Sequence, residues 1–246
     1  MTASVPSSTH PAERRPRGRP RKSPEARDDG NRRQELIRAA AHLFRQQGFA
    51  ATSTRDIAAA VGMRSGSPFY HFENKEALLA AVMLEGMQGA LQRQNAALAG
   101  LPPNADVRER LRVLVRNHFD VLLGPDSDFI PVMLYEWRSL SAEQRQTITQ
   151  IKDEYEAAWT PVLQALHDSG QLQAPVALAR LMIFGALNWA VQWYQPTGQN
   201  LTPTGAKHSV KRSSQTAAKA TGPSAPRASL DDLTEAALAL FLRDPA

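Results

Sequence analysis

Arg64, Ser65, Ser67, Tyr70 and His71 fall within one short stretch of the chain. All are hydrogen-bonding types and none is acidic, a set able to face the base edges and phosphates of DNA. Sets able to do catalysis are absent. There is no Gly-x-Ser-x-Gly elbow, no phosphate loop and no dinucleotide fingerprint. The six histidines (His10, His42, His71, His118, His167 and His208) show no metal-ligand spacing. With no cysteine, thiolate catalysis, disulfides and cysteine-based zinc sites drop out together. The expectation is a protein with no catalytic residues, no metal and no cofactor.

The elements that would carry the DNA-facing set can be read from periodicity. From Gln34 the pattern is helical: Leu36, Ala40, Leu43 and Phe44, with Ile37 beside them, form one apolar face, and Gly48 supplies a stop. Thr52-Ser53-Thr54 offers hydroxyl caps for a second helix, Arg55–Val61, ended by Gly62. Ser65 can cap a third, from Gly66 to His71, with Pro68 in the first turn where its missing N–H costs nothing. Asn74 caps a longer fourth, with Leu78, Leu79, Val82 and Met83 inward. Three helices of about 15, 8 and 7 residues have helix-turn-helix proportions. The third must lie in the major groove on a small core, for which Leu36, Ala40, Phe44, Phe49, Ile57, Ala58, Val61, Phe69 and Phe72 are available.

After Pro102-Pro103, helical patterns resume at 105–123, 128–138, 141–168, 175–194 and 230–243, with no strand alternation. Pro161 interrupts one of these runs, so that helix is kinked or is two helices. The fold class read here is all-α. Net charge is +5 but uneven: residues 1–33 and 202–229 carry +5 each, and the rest −5. A mildly acidic body with basic appendages is expected to meet polyanions through the appendages. No apolar run approaches a membrane span, and the arginine-rich N-terminal segment lacks the apolar core of a secretory signal. A cytoplasmic location is therefore expected.

The run "LIRAAAHLFRQQGFAATSTRDIAAAVGMRSGSPFYHFENKEALLAAV" resembles the N-terminal domain of the TetR/AcrR family of repressors. The match is carried by Ala-Ala-x-x-Leu-Phe-x-x-x-Gly-Phe, Thr-x-Arg-Asp-Ile-Ala-x-x-Val-Gly, Phe-Tyr-His-Phe and Asn-Lys-Glu-Ala-Leu-Leu. The resemblance implies an N-terminal three-helix DNA-binding domain and a larger helical domain for ligand binding and dimerisation. It implies that Arg64, Ser65 and Ser67 open the recognition helix, Arg64 being able to contact guanine bidentately. Tyr70 and His71 resemble the pair that the family sets against phosphates, and Lys75 its phosphate-contacting lysine at a helix N-terminus. Thr54 and Arg55 are placed for backbone contact. Gly66-Ser67-Pro68 departs from the commoner Gly-Thr-Leu or Gly-Ser-Leu, so base readout does not carry over in detail. The domain expectation is a disordered basic arm at 1–31, a reading domain at 32–80 and a helical domain at 81–246, with a flexible basic insertion at about 197–229.

Within the arm, Arg15-Pro16-Arg17-Gly18-Arg19-Pro20-Arg21-Lys22 resembles an AT-hook. Such a core lets Arg17 and Arg19 lie in a narrow A·T minor groove, where the negative potential is enhanced. An architectural A·T-binding protein is the alternative reading.

In the C-terminal part the resemblance implies a homodimer built by the last two helices. Leu178, Met182, Gly185, Trp189 and Trp193 make one apolar stripe; Leu233, Ala236, Leu240 and Phe241 make another. A small-molecule effector pocket is expected among Phe119, Phe129, Met133, Trp137, Arg138, Tyr155, Trp159 and Trp189. "YEWRSLSAEQR", "YEAAW" and "GALNWAVQWYQPTG" resemble members linked to lipid, steroid or aromatic catabolism, several of which bind acyl-CoA thioesters. Arg138 or Arg116 could meet an anionic ligand group, a surface ion pair being the plainer fate of each. The resemblance thus implies a repressor released from a palindromic DNA operator by such an inducer.

Overall fold

The computed structural model describes residues 24–63, 70–125, 127–194 and 228–244, with side chains from Gly30 onward. Every regular element among them is helical: α1 (Pro24–Gln47), α2 (Thr54–Ala60), α3 (Lys75–Ala99), α4 (Val107–Leu123), α5 (Phe129–Glu136), α6 (Ala142–Ala157), α7 (Trp159–Asp168), α8 (Val176–Trp189) and α9 (Leu230–Phe241). Short 3₁₀ turns follow α5 and α8. Arg17 and Arg19 of the hook, Arg64, Ser65, Ser67 and Phe69, and residues 197–227 of the insertion lie outside the described residues.

α1 starts at Pro24, so residues 24–31 are helical where the composition suggests an arm. Proline at the first helical position and a following glutamate suit a helix start, and the long apolar face downstream extends the helix cooperatively. That face buries Leu36, Ile37, Ala40, Ala41 and Phe44. Gly48 ends it at φ +85°, a left-handed conformation that glycine adopts freely.

Of the three candidate hydroxyls, Ser53 caps α2. Its Oγ accepts from Asp56 N–H at 3.2 Å, and the Asp56 carboxylate accepts from Ser53 N–H at 2.8 Å. The Ser53 hydroxyl, donating to the same carboxylate at 2.6 Å, and then the Ser53 N–H hold the Asp56 carboxyl below its usual range. Thr52, by contrast, is buried and donates to Gly48 O at 2.8 Å. Asn74 caps α3 through a bond from Ala77 N–H at 2.7 Å.

α3 packs against α1, α4, α5 and α6, and runs unbroken past residue 80. One long helix therefore crosses the boundary expected at residues 80 and 81. Gly86 is needed where α5 crosses it, since a Cβ there would stand 2.6 Å from the Cβ of Phe129. Pro161 falls in the first turn of α7; the run around it is two helices, separated at Ala158. α9 lies along α4 under ion pairs of Arg112 with Glu235 and Arg116 with Asp231. These pairs are exposed, worth about 0–1 kcal/mol each, so they orient the helix more than they hold it. The ion-pair fate of Arg116 is thus the one realised.

The core behind α3 contains a polar thread. Gln94 donates to Tyr155 O at 2.8 Å and accepts from the Trp159 indole N–H at 2.8 Å. His118 bridges Tyr155 Oη (3.0 Å) and Asn188 Oδ1 (3.1 Å), with Phe184 edge-on at 5.3 Å. Burial pushes the His118 pKa down to about 4 and the Tyr155 phenol up. The neutral imidazole therefore donates from Nε2 to Asn188 and accepts the Tyr155 hydroxyl at Nδ1.

A histidine whose ordinary value is 6.5 and whose folded value is about 4 gives stability fully present above about pH 6.5. That contribution is lost as pH falls, because the unfolded chain takes up the proton first. Chemical denaturation should show the unfolding free energy dropping by about 1–2 kcal/mol more in the wild type than in His118→Gln between about pH 6.5 and 5. Equal slopes would mean that His118 is not held neutral.

Candidate nucleic-acid interface and its attachment

Tyr70, in a short turn before α3, is 94% exposed, and His71 beside it is half-buried. Phe72 turns inward, 7% exposed, with the Arg33 guanidinium 5.1 Å over its ring. Thr54 and Arg55 sit on the first turn of α2, Arg55 exposed and Thr54 half-buried. Hydrogen-bonding side chains at α2 and at Tyr70–His71 thus come before and after residues 64–69 in the sequence. Beneath them Leu36, Ala40, Phe44, Phe49, Ile57, Ala58 and Phe72 are buried, and Phe44 meets Phe49 edge-on at 5.3 Å.

Lys75 does something its spacing does not show. Its Nζ donates to Phe49 O at 2.8 Å and to Thr52 O at 2.9 Å. It also stands 4.2 Å over the Phe49 ring. The ammonium satisfies two main-chain carbonyls in the turn between α1 and α2, leaving one N–H for an outside acceptor.

The same turn is gripped from the other side. Phe49 N–H donates to Glu136 Oε1 at 3.0 Å, and Glu136 in turn accepts from the Ser139 hydroxyl at 3.2 Å. At the opposite end of α5, Asp128 accepts from Arg45 at 3.0 Å and meets His42 Nδ1 at 3.0 Å. Arg45 also donates to the Ser127 hydroxyl at 2.9 Å. Both ends of the short α5 are thereby bonded to α1 or its exit. These partners lie more than eighty residues apart in sequence. No periodicity reports such a pairing, and none of His42, Arg45, Asp128 or Glu136 stands out in the sequence. The buried Gln94 and His118 were more visible in principle, as polar residues on otherwise apolar helix faces.

The expected pocket residues separate into groups. Phe119, Tyr155 and Trp159 are buried, the last two around His118. Phe129, Met133 and Trp137 are half-buried along α5 and its exit, and Arg138 is exposed. Trp189 leaves the group: it is 65% exposed on the outward face of α8. That helix turns Ala179, Ile183 and Leu187 inward, and two residues beyond Leu187 is the far side of an α-helix. Leu178, Leu181 and Met182 share the exposed face with Trp189, and a Cβ added at Gly185 meets nothing within 4 Å. On α9, Leu240 is 82% exposed, with Leu233 and Phe241 half-buried; Trp193, after α8, is half-buried too.

A family model for bacterial regulatory proteins of the TetR family matches residues 36–82, and one for the tetracyclin repressor-like C-terminal domain matches 104–210. The HTH-type transcriptional repressor KstR2 of Rhodococcus jostii is 31% identical over 181 residues, spanning 72% of this chain and 86% of that one. The chain belongs to the TetR family. It is thus a DNA-binding transcriptional regulator and not an enzyme. The fatty acid metabolism regulator protein of Bacillus subtilis is 28% identical, over 64% of this chain and 80% of its own length. Among solved structures, AibR in complex with isovaleryl coenzyme A and operator DNA has a TM-score of 0.62 at 25% identity, covering 69% of this chain and 90% of that one. Among the described residues no helix is long and apolar enough to cross a membrane.

For a TetR-family reading head held this way, Lys75→Met should cost about 1–3 kcal/mol, because Thr52 O loses its donor and Phe49 O the shorter of its two bonds. Thermal melts should show a lowered midpoint, and anisotropy with operator DNA a weaker complex even at temperatures where the variant is folded. A variant that melted like the wild type would remove Lys75 from the turn's support.

Proposed function

We propose that this regulator is a homodimeric repressor that grips a palindromic operator and lets go when a CoA thioester binds its C-terminal domain. Arg64, Ser65 and Ser67 are assigned to base edges, and Thr54, Arg55, Tyr70, His71 and Lys75 to the phosphate backbone. The reading domain is 32–80 and the sensing and dimerisation domain 81–246. The dimer forms in the cytoplasm through the outward faces of α8 and α9, with Met182, Gly185, Trp193, Leu233, Leu240 and Phe241. Each large apolar side chain buried there contributes about 1.5–3 kcal/mol.

The observation that carries the effector class is the likeness to a protein solved with both isovaleryl coenzyme A and operator DNA. A relative named for fatty acid metabolism points the same way. The aromatic core around Tyr155 and Trp159, with α5 beside it (Phe129, Met133, Trp137 and Arg138) and Phe119 behind, suits an acyl group. The bonds from Asp128 and Glu136 to α1 and its exit supply a route from that core to the reading head. An inducer acts by its differential affinity for two spacings of the recognition helices, only one of which matches half-sites a helical turn apart. Nearly complete release needs a differential on the order of 10⁴.

A palindromic site selected from random DNA should release the protein on titration with at least one CoA thioester from a short-, medium- and long-chain and aromatic series. Operator anisotropy unchanged across the whole series would sink the effector class, and tightening would make the ligand a co-repressor.

The hook adds a second contact. Arg17 and Arg19 end a few residues before Pro24, the first residue of α1, so they can reach the minor groove beside the head. Removing residues 1–22 should weaken binding and lower the salt dependence, log K against log [salt], by about one to three. An unchanged slope would leave the arm off the DNA.

A further inference from the structure

A cleft of about 760 Å³ lies where α1, α3 and the entry to α5 meet, apart from the aromatic core. Its volume is within the range of small-ligand sites, about 300–1,000 Å³, yet its lining is polar. Gln34 and Arg38 come from α1, and Gln88, Gln92 and Arg93 from α3. Two carboxylates also line it, and both are engaged. Asp128 is paired with Arg45 and His42, and Glu85 accepts from the Gln34 amide. Arg38 and Arg93 belong to no ion pair among the described residues. The cleft thus offers two guanidiniums that are in no ion pair, beside three amides that both donate and accept, with Glu85 and Asp128 at the same walls.

The floor of the cleft is open by construction. A Cβ at Gly89 would meet only the Arg93 guanidinium, at 4.0 Å, whereas Gly86 one turn earlier is pressed against Phe129. The contact at Gly86 closes one end, and Gly89 leaves room for an occupant.

We propose that this cleft binds a phosphate-bearing nucleotide group, with Arg38 and Arg93 on its phosphates and the glutamine amides on base and ribose. Guanidinium forks match phosphate oxygens bidentately, which ammonium groups do not. An inorganic anion would fill little of the volume and leave the amides without a role. The group is either a free nucleotide or the nucleotide end of a CoA thioester, and the latter source rests on the effector reading above. Its occupant would tie α1 to α3 on the face where Arg45 already ties α1 to Asp128.

Isothermal titration of the full chain with adenosine 3′,5′-bisphosphate, CoA and the most effective CoA thioester tests this, with inorganic phosphate as control. Arg38→Gln/Arg93→Gln removes the charge. Gly89→Leu fills the floor of a helix that tolerates the change, so its melting point and ligand-free operator affinity should be kept. The bisphosphate and CoA should bind saturably to the wild type, far more tightly than phosphate, and at least tenfold more weakly to both variants. No saturable binding to the wild type, or equal binding to the variants, overturns the proposal. Binding here without operator release by any thioester keeps the cleft and removes the effector reading. Release that is equally sensitive in wild type and Gly89→Leu keeps the effector reading and removes the cleft as its nucleotide site.

Discussion

The turn that leaves α1 satisfies its own main chain only in part. Gly48 enters the left-handed region and stops the helix, and the next residue, Phe49, is buried, its C=O accepting from Thr52 N–H at 3.3 Å within the turn. A buried main-chain group without a partner costs about 1–3 kcal/mol, so both must be answered. Glu136 answers the N–H, and Lys75 adds a shorter bond to the C=O and satisfies that of Thr52 as well. One comes from α5 and the other from the first residue of α3. The placement of the turn that leads into α2 is therefore settled by side chains of α3 and α5.

That arrangement has a consequence for signalling. α5 has eight residues, and both its boundaries are bonded to α1 or its exit. A helix so short, pinned at each end and pressed on α3 at Gly86, moves as a unit. Displacing it must either break the grip on Phe49 or carry α1 along. The polar thread of Gln94, His118, Tyr155, Trp159 and Asn188 supplies the counterpart on the sensing side. It links α3, α4, α6, α7 and α8 through directional bonds in a region where lost partners are expensive. Apolar packing alone would tolerate small slips between these helices; the bonds select one register.

Much of this was legible locally. Asn74 caps α3, a hydroxyl of Thr52-Ser53-Thr54 caps α2, and Gly48 and Gly62 end helices where glycine is needed at positive φ. The core of the reading head follows from 3.6-residue spacing, and Pro161 marks a true helix boundary. The family, too, is carried by a continuous run of motifs. Each of these signals is confined to a few neighbouring residues. The start of α1 was missed because a polar, proline- and glycine-bearing segment has no apolar face to announce it.

The sequence by itself determined the all-helical class, the ends of most helices and the presence of a DNA-reading head, because caps, breakers and apolar periodicity act over one or two turns. Tertiary structure alone decided that Lys75 supports the turn as well as standing at a helix N-terminus, and that Trp189 faces outward. It also decided that Asp128 and Glu136 bond α5 to α1 and its exit. Those outcomes depend on which helices cross and at what rotation, and that is a property of many weak contacts between residues far apart in the chain.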